Sequence, residues 1–160
     1  MATKARVNWG RVAMQAVIAG IAGGAVMEIY LYFTTIVPAH ASLFAVWQGI
    51  AAAAVGKAAA YGNPAYAWVG LVIHFVVSIG WAGGYAYLAL RQDFLNQRRL
   101  VSGIVYGIVV YIFMVVLQIG AGVYAAPTPP DVANALIAHT LFFGVPVAYV
   151  VAWLDQRVRA

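Results

Sequence analysis

The chain has 160 residues, 65% of them hydrophobic and only 8% charged, with a mean hydropathy of +0.89. A soluble domain carries roughly a quarter charged residues, so water is excluded as the solvent for most of this surface. Cysteine is absent, which excludes disulfides, thiolate metal sites and cysteine nucleophiles; the net charge of +5 is spread over the ends of apolar runs, which argues against a nucleic-acid surface.

A short basic segment, Lys4 to Arg11, precedes the first apolar run, Val12–Val37. That run is too long for the apolar region of a signal peptide, so the basic start reads as an anchor. Three further runs are long enough to cross a bilayer, which takes about 20 helical residues: Trp68–Leu90, Leu100–Val123 and Val132–Leu154. A barrel would need strict alternation and many more turns, so the spans are helices. Turn chemistry falls between them at Pro38, Asn63-Pro64, Arg91–Arg99 and Pro127-Thr128-Pro129-Pro130. Asp131 is expected to cap the start of the fourth span.

Between the first two spans lies Ala41–Tyr61, helix-forming and apolar, with Leu43, Trp47, Ile50 and Ala54 on one face and Lys57 as its single charge. As a fifth span it would move Arg91–Arg99 across the membrane from the other basic segments. The expectation is therefore an interfacial or re-entrant helix on the outer face. Lys4, Arg6, Arg11, Arg91, Arg98, Arg99, Arg157 and Arg159 fall on one side, with Lys57 alone on the other. By the positive-inside rule both termini are cytoplasmic. Trp9, Trp68, Trp153, Tyr66 and Tyr124 lie near span ends, where interfacial aromatics belong.

The halves resemble each other. The first and third spans carry Gly20/Gly24 and Gly103/Gly107, the small-xxx-small spacing that lets backbones approach. The second and fourth each place a histidine a similar distance after a proline, Pro64 to His74 and Pro130 to His139. This suggests a duplicated hairpin. Exposed glycine-rich faces also suggest a homo-oligomer or a subunit of a larger complex.

Ionisable groups inside a span are expensive, and Glu28, His74 and His139, with the polar Gln118, stand out. Glu28 lies 17 residues beyond Arg11, Gln118 19 beyond Arg99, His74 17 before Arg91 and His139 16 before Asp155. At about 1.5 Å per residue, all four share a layer roughly 25 Å from the cytoplasmic boundary. Glu28 shares a stripe with Gly20, Gly24, Tyr32 and Thr35; His74 with Ser78, Trp81 and Tyr85; Gln118 with Gly107, Tyr111 and Met114. Pro146, below His139 and Phe143, is expected to kink the last helix.

One reading makes this layer structural, with Glu28 paired to one histidine and Gln118 to the other. A second makes His74 and His139 axial ligands of a haem b iron. A third has Glu28 and the histidines relay protons or bind a small substrate, as in a proton-coupled transporter or channel. A fourth has them bind a divalent metal. Ser78, one turn from His74, belongs to the same candidate binding set, although a hydroxyl there commonly bonds the backbone carbonyl below it. No hydrolase, phosphate-loop or dinucleotide motif occurs.

Trp68-Val69-Gly70 leading to His74, then Ser78, Gly84-Tyr85, a basic loop, Gly103/Gly107, a proline-rich turn and Ala138-His139 resemble the YagU-like family of small bacterial inner-membrane proteins. The resemblance covers roughly 90 residues. It implies a polytopic inner-membrane protein and no particular reaction. The sequence as a whole reads as an all-α four-transmembrane-helix bundle, a single domain over 1–160, with an extra outer-face helix. The expected role is non-enzymatic: a small membrane subunit or binding protein built around an intramembrane polar cluster.

Overall fold

Asn8 starts the first helix in the computed structural model, which describes residues 7–123 and 127–159, the last two as backbone. Its side-chain oxygen accepts the Arg11 N–H at 3.0 Å, satisfying a donor that the first helical turn leaves unpaired. Helix α1 (Trp9–Leu31) runs on through a π-helical turn, Tyr32–Ile36. After it come α2 (Leu43–Val55), α3 (Lys57–Gly62), α4 (Tyr66–Ala89), α5 (Asp93–Gln97) and α6 (Arg99–Gly120). The last span is continuous from α7 (Pro129–Ile137) through a π-helical segment, Ala138–Gly144, into α8 (Val145–Arg159). No strand occurs among the described residues. Lys4, Arg6, Tyr124 and the Arg159 side chain, used above for orientation, lie outside the described set.

Four helices are long and apolar enough to cross a membrane: Trp9–Ile36, Tyr66–Ala89, Arg99–Gly120 and Pro129–Arg157. Each boundary falls within three residues of its expected position. The chain is thus an all-α, four-helix, multi-pass membrane protein.

Two local expectations are corrected, and the backbone before Pro146 adds a detail to a third. The single helix over 41–61 is two, because Gly56 adopts φ +84, which ends α2 and starts α3. The residues that α2 and α3 bury are Ala51, Ala52 and Ala60, while Ala54 is exposed; small side chains let α2 come down onto α4 at Gly70, where a Cβ would collide with the Trp47 carbonyl. Asp131 is not the cap of the last span. Thr128 caps it, and Asp131, three residues on, accepts the Thr128 backbone N–H at 3.2 Å in a capping box. Finally, Pro146 is preceded by a widened π-helical stretch in which the Val145 N–H reaches back to Thr140 O. The stretch absorbs the break in hydrogen-bond register that Pro146 imposes.

The spans pack in the order α4, α1, last span, α6. Gly20 and Gly24 bring α1 onto Ile79 and Ser78 of α4, and Gly103 and Gly107 bring α6 onto Gly144 and His139 of the last span. Each glycine motif therefore closes its own hairpin against the helix that bears the histidine. Close van der Waals contact is what holds helices together in lipid. These glycine faces are used inside the bundle, which removes them as a basis for self-association.

The α4 and α6 helices meet through side chains. Trp81 packs edge-on to Tyr106 and Phe113, Tyr85 to Tyr106, and the Tyr85 hydroxyl lies 2.8 Å from Ser102 Oγ. These contacts run from the Arg99 end of α6 to about the middle of the bundle. The same end carries the Arg11–Asp155 ion pair, Trp9 stacked on Tyr87, and Arg91, Arg99 and Arg157 over the rings of Tyr87, Tyr149 and Trp153. At the opposite end α2 covers α4, and beyond Trp81 no hydrogen bond or ring contact joins α4 to α6 among the described residues.

Candidate site in a chamber between the spans

The open seam leads to a cavity of about 930 Å³. Glu28, His74, Ser78, Gln118 and His139 all line it. The four residues singled out by depth counting, and Ser78 one turn from His74, are therefore brought into one chamber, in the half of the bundle away from the basic end. The rest of the wall is largely apolar or aromatic, including Met27, Trp81, Tyr111, Met114 and Phe143.

Glu28 and His74 face each other across the α1–α4 seam, Oε1 to Nδ1 at 3.5 Å. Gly24, one turn before Glu28, is what lets the helices come this close. The other ring nitrogen, Nε2, donates to the Gly24 carbonyl at 3.3 Å. Both nitrogens of His74 are thus directed at oxygen. The second carboxylate oxygen of Glu28 accepts the Trp47 indole N–H at 3.4 Å, which ties α2 to the site.

His139 donates from Nδ1 to the Ala135 carbonyl in its own helix at 2.7 Å. In a neutral ring this leaves Nε2 as an unprotonated acceptor. Its ring lies 5.6 Å from that of Tyr111. The expected pairing of Gln118 with a histidine does not form, because His139 satisfies itself within its own helix; Gln118 lines the chamber with no side-chain hydrogen bond among the described residues. Ser78 is 5% exposed and does not make the expected bond to the carbonyl below it. Thr140 is the residue that does, to Leu136 O at 2.7 Å.

These placements bear on the metal readings. Two axial ligands to one iron need a free ring nitrogen from each histidine, and His74 has both of its nitrogens engaged. The bis-histidine haem arrangement does not fit this geometry. Nor do Glu28, His74 and His139 form a divalent-metal set, since no group of three His, Asp or Glu among the described residues can hold a metal ion.

Sequence reasoning missed two features of the site. Trp47 was assigned only to an apolar face, although a buried carboxylate one helix away needs a donor. The second is a clasp above the chamber, where Tyr30 donates to Asn134 at 2.7 Å, Asn134 to Thr35 at 3.0 Å, and the Tyr30 ring stacks on Phe142. Thr35 lay on the Glu28 stripe and signalled part of it. Tyr30 carried no signal before its neighbour was known.

No family model, curated protein or solved structure matches the chain. Fold and site together define a class, a multi-pass α-helical membrane protein with a chamber between its spans.

Proposed function

We propose that this chain is a non-enzymatic binding protein of the bacterial inner membrane that takes a small molecule into the chamber. The observation that carries the reading is the convergence of one polar side chain from each span on a single cavity of about 930 Å³, a volume suited to a drug-sized ligand. The wall is apolar with a few polar groups, which is the usual make-up of such sites. A binding role is favoured over catalysis because Ser78, the buried serine beside His74, makes no hydrogen bond to either histidine, so neither acts as a base on it.

The eight-to-one distribution of basic residues supports cytoplasmic termini, and the YagU-like resemblance supports the inner membrane. The chamber then opens in the outer half of the bilayer. Assembly with another copy or a larger complex must use the outer apolar faces, of which α6, with Val105, Val109, Ile112 and Val116 exposed, is the broadest.

The chain's lack of cysteine gives a direct test. Single cysteines replace Met114 and Gln118, which line the chamber, and Val116, which is 66% exposed on the lipid side. A small charged thiosulfonate should label the first two in proteoliposomes. Val116 should react roughly tenfold more slowly or worse, because forming a thiolate in hydrocarbon costs at least a few kcal/mol. Equal rates at all three positions would overturn the chamber.

A further inference from the structure

We propose that the ligand is a lipophilic organic cation, admitted in exchange for the proton that Glu28 and His74 share. The proposal rests on the binding reading above and names its ligand class. Three observations carry it.

The first is charge. The titratable groups on the chamber wall are Glu28, Asp131, His74, His139 and Tyr111, and no lysine or arginine lines it. Its permanent charge can only be negative. Glu28 faces His74 from α4, Trp47 from α2, and the chamber itself, on which His139 of the last span and Tyr111 of α6 also open. The described α2 helix has no charged side chain. Asp131 sits at the proline-rich mouth, held by Thr128. An anionic guest would meet no lysine or arginine here, whereas a cation meets a carboxylate, the unprotonated Nε2 of His139 and the aromatic side chains of Trp81, Tyr111 and Phe143.

The second is access. Beyond Trp81 no hydrogen bond or ring contact closes the α4–α6 seam among the described residues. In this proposal that untied seam is the route by which the guest enters from the lipid, the phase in which lipophilic cations concentrate.

The third is the proton count. His74 presents one nitrogen to the Gly24 carbonyl and the other to the Glu28 carboxyl group. One proton between Glu28 and His74 makes the pair net neutral, whichever partner holds it. When a cation arrives, that proton leaves for water, the electron pair stays on the carboxylate, and the carboxylate turns its charge to the guest. No net charge is then added to a low-dielectric site, which avoids a desolvation cost of several kcal/mol per ion. His74 keeps its bond to Gly24, so the α1–α4 seam survives the exchange.

Tetraphenylphosphonium and tetraphenylborate, nearly identical in shape and opposite in charge, serve as probes on the detergent-purified full chain, by equilibrium dialysis corrected for empty micelles. The cation should bind more than about tenfold tighter than the anion, release about one proton in lightly buffered solution, and bind more tightly as the pH is raised, by linkage to that proton. Glu28→Gln should abolish the proton release and weaken cation binding at least tenfold. Equal binding of both probes, cation binding without proton release, or unchanged binding by Glu28→Gln overturns the proposal. Should that variant not fold, the cation–anion comparison and proton count on the unaltered chain decide alone. If the chamber cysteines label but neither probe binds, the ligand class fails and the binding reading stands. If they do not label, the reading beneath it fails.

Discussion

Arg11 and Asp155 approach from opposite ends of the chain and pair where α1 meets α8, with Asp155 only 4% exposed. A carboxylate buried to that degree depends on its cation. Arg11→Ala should lower stability by about 3 kcal/mol or more, read as a fall in thermal midpoint in detergent. The double variant Arg11→Ala, Asp155→Ala should recover much of that loss, since it removes the stranded charge as well. A single variant no worse than the double would mean the pair contributes little. At this scale the sequence was informative about depth and blind to partners. Counting residues from the charged span ends placed Glu28, His74, Gln118 and His139 in one layer, because helical rise is nearly constant. It could not say that His139 would turn its proton to Ala135 or that Asp155 would find Arg11 144 residues away, because those choices are made by neighbouring backbones.

The α2 helix owes its position to one missing side chain. At Gly70 the α4 backbone admits the Trp47 carbonyl and the Ala51 amide directly. From this seat Trp47 reaches Glu28, within a ring cluster of Phe44, Trp47 and Trp68. Gly70→Leu should lift α2 off α4 while leaving the four spans formed. The expected signs are faster thiol labelling of a cysteine at Ala52, which is 2% exposed, and unchanged helix content by circular dichroism. A protected Ala52 position would show that α2 is held elsewhere. The spans themselves were legible in the sequence to within three residues, because length and hydropathy alone decide them. The break at Gly56 and the π-helical stretch before Pro146 were not. Both are local backbone solutions to packing, and the apolar pattern is the same with or without them.

Across the whole molecule, the arginine side chains among the described residues gather at one end and the polar chamber lies toward the other. A cysteine at Gln97, in α5, and one at Lys57, in α3, should therefore label from opposite faces of the membrane with an impermeant reagent, Gln97 from the cytoplasm. Labelling of both from one side would invert half of the topology and with it the depth argument. The two ends also differ in how firmly they are tied. The Arg11–Asp155 ion pair, the stacked rings of Trp9 and Tyr87, and the Tyr85–Ser102 bond bind the spans together at the basic end. Toward the chamber, α4 and α6 lose such ties beyond Trp81.

The Tyr30–Asn134–Thr35 clasp holds α1 to the last span at the chamber end, so of the four spans it is α4 and α6 that are fastened at one extremity only and could part like the arms of tweezers. Spreading α4 from α6 widens the protein's footprint in one leaflet and hardly alters it in the other. The lateral pressure of that single leaflet, and hence the shape of the lipids composing it, would then bear on how readily these two arms part.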